Sequence, residues 1–208
     1  MNTDIQGLVH VVDDDEAMRH SLTRLLKSVG LRVACYASGL EFLEQYRPES
    51  PECLLLDVRM PGMSGPTLYG KMREQGITPP TLLLSGYGTI QIAVTAIREG
   101  VLDFIEKPYD DQMLLDKVHA ALEEDIRRRE GLAELTGIKA CFDSLTTRER
   151  QVMELVVNGS TNKEIAFALG IRPNTVEIHR NNMMKKMDAG SVAGLVRLWM
   201  RLHETADN

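Results

Sequence analysis

Long apolar runs are missing from this 208-residue chain. No stretch approaches the roughly 20 residues that span a bilayer, and the opening MNTDIQG lacks a basic-then-apolar leader pattern. A soluble, cytoplasmic protein with no membrane partner is the expectation. Cysteine is scarce: Cys35, Cys53 and Cys141 are odd in number and lack metal-type spacing. That argues against a disulfide framework and for buried free thiols in a reducing compartment. No glycine-rich loop follows the first apolar run, which disfavours a nucleotide-binding α/β domain. Internal repeats and low-complexity tracts are absent as well.

What is present divides unevenly. Residues 1–125 carry 20 acidic and 11 basic side chains, whereas residues 146–208 carry seven acidic and nine basic ones. Such asymmetry suggests two domains with different partners. The first half repeats short apolar runs, LVHVV (8–12), CLLLD (53–57), TLLLS (81–85) and DFIEKP (103–108), with the more alternating LRVACYA (31–37) among them. Between them lie helical stripes: Met18, Leu22, Leu25, Leu26 and Val29 in residues 16–29, and Ile92, Ala93, Ala96 and Ile97 in residues 89–99. Gly30, Gly76 and Gly100 stand where those helices should stop. Strands and helices in alternation predict a doubly wound α/β fold with a parallel sheet, whose ligand site lies beyond the carboxyl ends of the strands.

That rule delivers distant residues to one rim. Asp13, Asp14, Asp15 and Glu16 crowd behind the first strand, Asp57 closes the third, Ser85 the fourth, and Lys107 follows the fifth. Four adjacent carboxylates make either a wet turn and helix start or a site held together by a cation. An oxygen-only donor set suits Mg²⁺, which takes one or two carboxylates and keeps several waters. Asp57, before the turn MPGMSG, is best placed to attack phosphorus and become an acyl phosphate. Lys107 would pair with the phosphoryl oxygens, and Ser85 could donate a hydrogen bond to one.

VVDDDE, LLLDVRMPGMSG, LLLSGYG and DFIEKP, in this order and spacing, resemble the receiver domain of two-component response regulators over about residues 7–125. The resemblance implies a flavodoxin-like fold with Asp57 as phosphoacceptor. It implies Mg²⁺ held by Asp13, Asp14, Asp57 and the Arg59 carbonyl. Ser85 becomes the switch hydroxyl, Phe104 the switch aromatic and Lys107 the phosphate partner. Phe104 lacks a phenolic hydroxyl, so its switching must come from ring packing. Arg59 and Tyr87 occupy rim positions that tune phosphate loss in similar receivers.

From residue 110 a charged helix places Met113, Leu114, Val118, Ala121 and Leu122 on one stripe and runs into Arg127, Arg128 and Arg129, read as a solvated stretch. Residues 126–143 are expected to be a linker, a helical extension followed by a glycine-punctuated loop. After it, Thr146 and Glu149 fit a capping box. Helices follow over 162–170, over 172–187 after Pro173, and over 191–202. Short helix, glycine turn and a helix rich in basic and amide side chains are helix-turn-helix logic.

Residues 144–202 resemble the four-helix DNA-binding domain of NarL/LuxR-type regulators, and the whole arrangement resembles the FixJ-type subgroup. This implies an all-α domain over 144–208 whose third helix enters the major groove. Glu177, Ile178 and Asn181 are the candidates for base edges. Thr161, Asn162, Lys163, Asn174, Thr175, His179, Arg180, Lys185 and Lys186 are candidate phosphate neighbours. Met183, Met184 and Met187 read as partly core. Leu195, Val196, Leu198 and Trp199 divide between core and a dimer seam.

Taken with both resemblances, the chain reads as a non-enzymatic transcription regulator. A sensor histidine kinase phosphorylates Asp57, and homodimerisation then places two copies on inverted DNA half-sites, with RNA polymerase as a further partner. The competing reading is a constitutive DNA-binding protein whose receiver-like half is a structural dimerisation module.

Overall fold

The computed structural model describes residues 6–49, 51–86 and 90–204; Tyr87 lies outside them. Two compact units divide between Arg129 and Glu130. In the first, strands β1 (Leu8–Val12), β2 (Arg32–Tyr36), β3 (Glu52–Asp57), β4 (Thr81–Ser85) and β5 (Asp103–Glu106) alternate with helices α1 (Glu16–Ser28), α2 (Gly39–Gln45), α3 (Gly65–Glu74), α4 (Ile90–Arg98) and α5 (Asp111–Asp143). All strand pairs are parallel, in the order β2-β1-β3-β4-β5. The strand order reverses between β1 and β3, which is where such sheets open a ligand crevice.

Side chains alternate across each strand, so the sheet builds two cores. Val9, Val11, Leu55 and Leu84 pack with Leu22 and Leu26 of α1 and Leu114, Val118 and Leu122 of α5. Val12, Leu54, Leu56 and Leu83 pack with Phe42 of α2 and Leu68 and Met72 of α3. Each fully buried side chain of this size contributes about 1.5–3 kcal/mol. Among the described side chains, which do not include those of Ile92 and Ala93, two striped residues fall outside these cores. Val29 caps the end of α1 and is exposed, because the chain already turns there into Gly30, whose φ of 85° belongs to the left-handed region. Ile97 is exposed beside Val94 on α4, while Ala96 is buried.

The loop expected between the halves is helical. α5 runs unbroken to Asp143 through Gly131 and Gly137, and the unit boundary falls inside it. Glycine lowers helix stability by only about 1 kcal/mol per residue, which its helix-forming neighbours outweigh here. The second unit continues with α6 (Thr147–Val157), α7 (Asn162–Leu169), α8 (Pro173–Lys186) and α9 (Val192–Glu204). Its core gathers Val152, Met153, Ile165, Val176, Met183, Met187 and Leu195, with Met184, Leu198 and Trp199 packed against it. Among the described residues, no helix is long and apolar enough to cross a membrane.

Candidate functional site

The four consecutive carboxylates separate into distinct jobs. Asp13 is buried; its Oδ1 accepts the Asp15 N–H at 2.9 Å and its carbonyl accepts an Arg19 guanidinium N–H at 2.7 Å. Asp15 is the N-cap of α1, its carboxylate accepting the Ala17 N–H at 2.8 Å, and Glu16 opens the first turn. Anions at a helix N-terminus are stabilised by the unpaired N–H groups there. Asp14 is exposed and lines a cavity of about 510 Å³ together with Arg59, Met60 and Ser64.

Asp57 ends β3 with its Oδ2 accepting the Arg59 N–H at 2.7 Å. The Lys107 ammonium bridges the two buried acids, 2.6 Å from Asp57 Oδ1 and 3.0 Å from Asp13 Oδ2. Burial pushes the Asp57 carboxyl above its ordinary value, and Asp13 adds to the rise; Lys107 and the Arg59 N–H oppose it without prevailing. One ammonium divided between two carboxylates leaves each incompletely compensated. Lys107 responds the other way: burial alone would lower its pKa, but its bonds to Asp57 and Asp13 lift it. The ammonium therefore keeps its proton. Ser85, also buried, ends β4 and donates to the Gly86 carbonyl at 3.0 Å. Phe104 on β5 is half-buried against the core that contains Leu56 and Leu83.

In the second unit, α8 presents Glu177, Ile178 and Asn181 to solvent, with Lys163, Asn174 and Lys185 exposed and Thr175 and His179 partly so. Arg180 donates to Asn162 Oδ1 at 3.0 Å, tying α8 to the start of α7 beside a concavity of about 400 Å³ that Glu177 and Asn181 share. Two more of the candidate phosphate neighbours also make hydrogen bonds within the unit. The Thr161 hydroxyl caps α7, accepting the Glu164 N–H and donating to Glu164 Oε2 at 2.8 Å. Lys186 donates to Glu149 Oε2 at 2.7 Å and to the Ser144 carbonyl at 3.2 Å. The hydroxyl satisfies a helix N–H that would otherwise lack a partner and the ammonium a buried carboxylate, while Thr161 stays exposed and Lys186 partly so.

Glu149 is the N3 residue of the α6 capping box and is buried. Burial raises its pKa, but Lys186 and the Thr146 N–H and hydroxyl together hold it below the ordinary 4.5. A depressed carboxyl contributes stability that is whole above its unfolded value and lost as pH falls through the folded one. Melting temperature should therefore drop on acidification below that value, and Glu149→Gln should flatten this limb. Identical acid limbs in the two proteins would refute the assignment.

Residues 9–119 match the family described as "Response regulator receiver domain". Residues 143–199 match "Bacterial regulatory proteins, luxR family". Nodulation protein W of Bradyrhizobium diazoefficiens is 43% identical over 193 residues, covering 93% of this chain and 85% of that protein. Transcriptional regulatory protein FixJ of Azorhizobium caulinodans is 42% identical over 190 residues, covering 91% and 90%. Among solved structures, that of the response regulator StyR is similar at a TM-score of 0.83 and 38% identity, covering 95% of this chain and 100% of that one. The chain belongs to the response-regulator family.

As a response regulator of the FixJ/NarL type it joins a receiver to a LuxR-type DNA-binding domain, in a family that regulates transcription rather than catalysing reactions. Receivers of this family generally bind Mg²⁺ at the phosphorylation site, and the donor chemistry here fits such an ion. Asp13, Asp57 and the Arg59 carbonyl offer only oxygens, and each carboxylate has lone pairs beyond those its present partners use. As the side chains stand, Asp13 and Asp57 meet on Lys107 with Asp14 exposed, and among the described residues no three His, Cys, Asp or Glu side chains are already clustered for a metal. Asp14 stands in water, where its charge is screened, while Lys107 occupies the space between the two buried acids. Asp14 could reach an ion only from the open side.

Several contributors escape a reading by motif. Arg19 and Asp15 act through backbone groups, which residue type alone does not disclose. Gly65 is needed for space, since a Cβ there would stand 2.4 Å from the Asp57 carbonyl oxygen. The Arg127–Arg129 triplet is only partly a solvated face. Arg127 pairs with Glu124, whereas Arg128 and Arg129 turn back onto the buried Asp125.

Proposed function

We propose that this response regulator accepts a phosphoryl group on Asp57 from a sensor histidine kinase and thereby controls its dimerisation and its binding to DNA. Residues 1–125 serve as receiver, 126–143 as a helical linker and 144–208 as the DNA-binding domain. The observation that carries this reading is the Lys107 ammonium held 2.6 Å from Asp57 Oδ1 and 3.0 Å from Asp13 Oδ2 at the reversal point of the sheet.

An Asp57 oxygen attacks phosphorus, the new O–P bond forms, and the bond from phosphorus to the donor's imidazole nitrogen breaks with its electron pair leaving on that nitrogen. Lys107 stays protonated throughout and shifts its ion pair from the carboxylate to the phosphoryl oxygens. Asp13, Asp57, the Arg59 carbonyl and Asp14 would hold Mg²⁺, which would supply charge neutralisation at those oxygens. Ser85 turns its hydroxyl toward the phosphoryl group, and Phe104 repacks in response. The altered face lies on α4, β5 and α5, where the exposed Val94 and Ile97 of α4, and Leu102 just before β5, support pairing with a second copy. A two-fold dimer suits inverted half-sites about 34–36 Å apart. The setting is the cytoplasm, where RNA polymerase is the downstream partner.

Molecular mass in solution and DNA affinity, each measured with and without a small phosphodonor and Mg²⁺, test the coupling. Both should rise with phosphorylation; constancy of both overturns it. On DNA, Glu177, Ile178 and Asn181 read base edges, while Lys163, Asn174, Thr175, His179, Arg180 and Lys185 hold the backbone. Asn181→Ala should cost about 1–3 kcal/mol and relax the preference at one base pair. Lys185→Ala should weaken all sequences alike and reduce the salt slope by about one. Specificity unchanged in the first variant, or changed by the second, would reverse these roles.

A further inference from the structure

The receiver unit contains a second buried charged network, at the opposite end of β3 from Asp57. Glu52 and Asp125 are both fully buried. The Glu52 carboxylate accepts from His10 Nε2 at 3.1 Å, the Tyr46 hydroxyl at 2.8 Å, the Glu49 N–H at 3.2 Å and Arg129 Nη2 at 2.5 Å. Its own N–H donates to Asp125 Oδ2 at 3.1 Å. Asp125 accepts further from Arg129 Nε and Arg128 Nη2, both at 2.7 Å, and Arg128 reaches Thr78 Oγ1 at 2.5 Å. Arg129 also donates to the Glu49 carbonyl at 2.7 Å. Burial and the bond to Glu52 raise the Tyr46 phenol far above its ordinary range, so it remains a donor.

Nothing in phosphoryl transfer uses these groups. Two buried carboxylates with two arginines add little net stability compared with apolar packing, because their desolvation nearly cancels their attraction. What such a network does well is hold one geometry, since the planar Arg129 fork is satisfied in a single pose. The pose it holds is that of α5 at Asp125–Arg129, the last turn before the chain enters the second unit at Glu130. β3 joins the two sites: Glu52 is its first residue and Asp57 its last.

We propose that Glu52, Asp125 and Arg129 form a clasp between β3 and the outgoing helix, and that phosphorylation at Asp57 reaches the DNA-binding unit only while this clasp holds α5. Arg129 is a positioning residue in this account, acting through helix geometry rather than on the phosphoryl group. The inference rests on the function proposed above.

The test measures DNA affinity of the full chain with and without acetyl phosphate and Mg²⁺, in wild type, Arg129→Lys and Glu52→Gln. Intact mass reports acceptor occupancy, and far-UV circular dichroism fixes a temperature at which each protein is folded. Arg129→Lys keeps the charge but loses the fork; Glu52→Gln keeps the shape but loses the charge. Wild type should gain about 5- to 150-fold in affinity on phosphorylation. Both variants should take up the phosphoryl group as wild type does, yet show an affinity ratio near one. Either variant retaining the wild-type ratio overturns the clasp. A wild-type ratio of one overturns instead the phosphorylation-dependent function on which it rests. Should one variant fail to fold, the other decides.

Discussion

Gly65→Ala is expected to destabilise the receiver by about 1–3 kcal/mol, the usual range for overpacking, and to slow phosphoryl uptake at Asp57 severely. The new Cβ would lie 2.4 Å from the Asp57 carbonyl oxygen, closer than real Cβ atoms come, and 3.1 Å from Val58 Cα, tighter than most do. Neither neighbour can yield cheaply. The Gly65 N–H is bonded to the Val58 carbonyl at 3.0 Å, and the Val58 N–H to Leu84 on β4 at 2.9 Å. Relief must therefore come from moving the end of β3, which carries the acceptor. Gly70, in the same helix, is the control: an added Cβ there meets nothing within 4 Å. Gly70→Ala should stabilise by roughly 0.5–1 kcal/mol through helix propensity and leave uptake unchanged. Thermal melts and phosphorylation time courses of the two variants separate steric need from a general dislike of change in α3. Equal behaviour of the pair would contradict the steric argument.

The second large effect belongs to Lys107→Met. Removing the ammonium leaves the Asp13 and Asp57 side chains, 2% and 11% exposed, without their shared cation. Breaking a buried pair in this way costs about 3–5 kcal/mol at neutral pH. The pH dependence has a definite sign. The raised pKa of Lys107 means that its contribution is whole below the ordinary 10.5 and is lost as pH rises through the higher folded value. Wild type should thus lose stability in strong alkali over a limb that the variant lacks. Asp57, raised in the folded protein, contributes favourably below its ordinary 3.8 and loses that contribution as pH rises. Without Lys107 to oppose it, the rise in Asp57 grows, so the variant should recover part of its deficit on acidification. Denaturant titrations across the pH range read both limbs. A deficit constant from acid to alkali would show that Lys107 acts through packing alone.

Much of this arrangement is legible in the letters because apolar runs announce buried strands. LVHVV, CLLLD and TLLLS lie where β1, β3 and β4 run, apart from Glu52, which begins β3 one residue early. The residues at or just past the carboxyl end of a buried parallel strand are delivered to one rim, so Asp13, Asp57, Ser85 and Lys107 can be grouped from the letters alone. Local pattern stops being informative where partners are chosen by the folded chain. Nothing near ECLLLD announces that Glu52 will be neutralised by Arg129, 77 residues away, or that its N–H will meet Asp125. Arg128 and Arg129 look like a solvated run because the letters do not show that Asp125, one turn back on the helix, is buried, or that Glu52 and Thr78 will meet them. Gly131 and Gly137 look like loop punctuation, but propensity is a weak prior within a helix 33 residues long. Likewise, no motif shows that the Thr161 hydroxyl bonds Glu164 or that Lys186 bonds Glu149.

The most direct test of the account is the intact mass of the protein after incubation with acetyl phosphate and Mg²⁺. Wild type should gain the mass of one phosphoryl group and Asp57→Asn should gain none. No gain in wild type, or an equal gain in Asp57→Asn, would contradict the account.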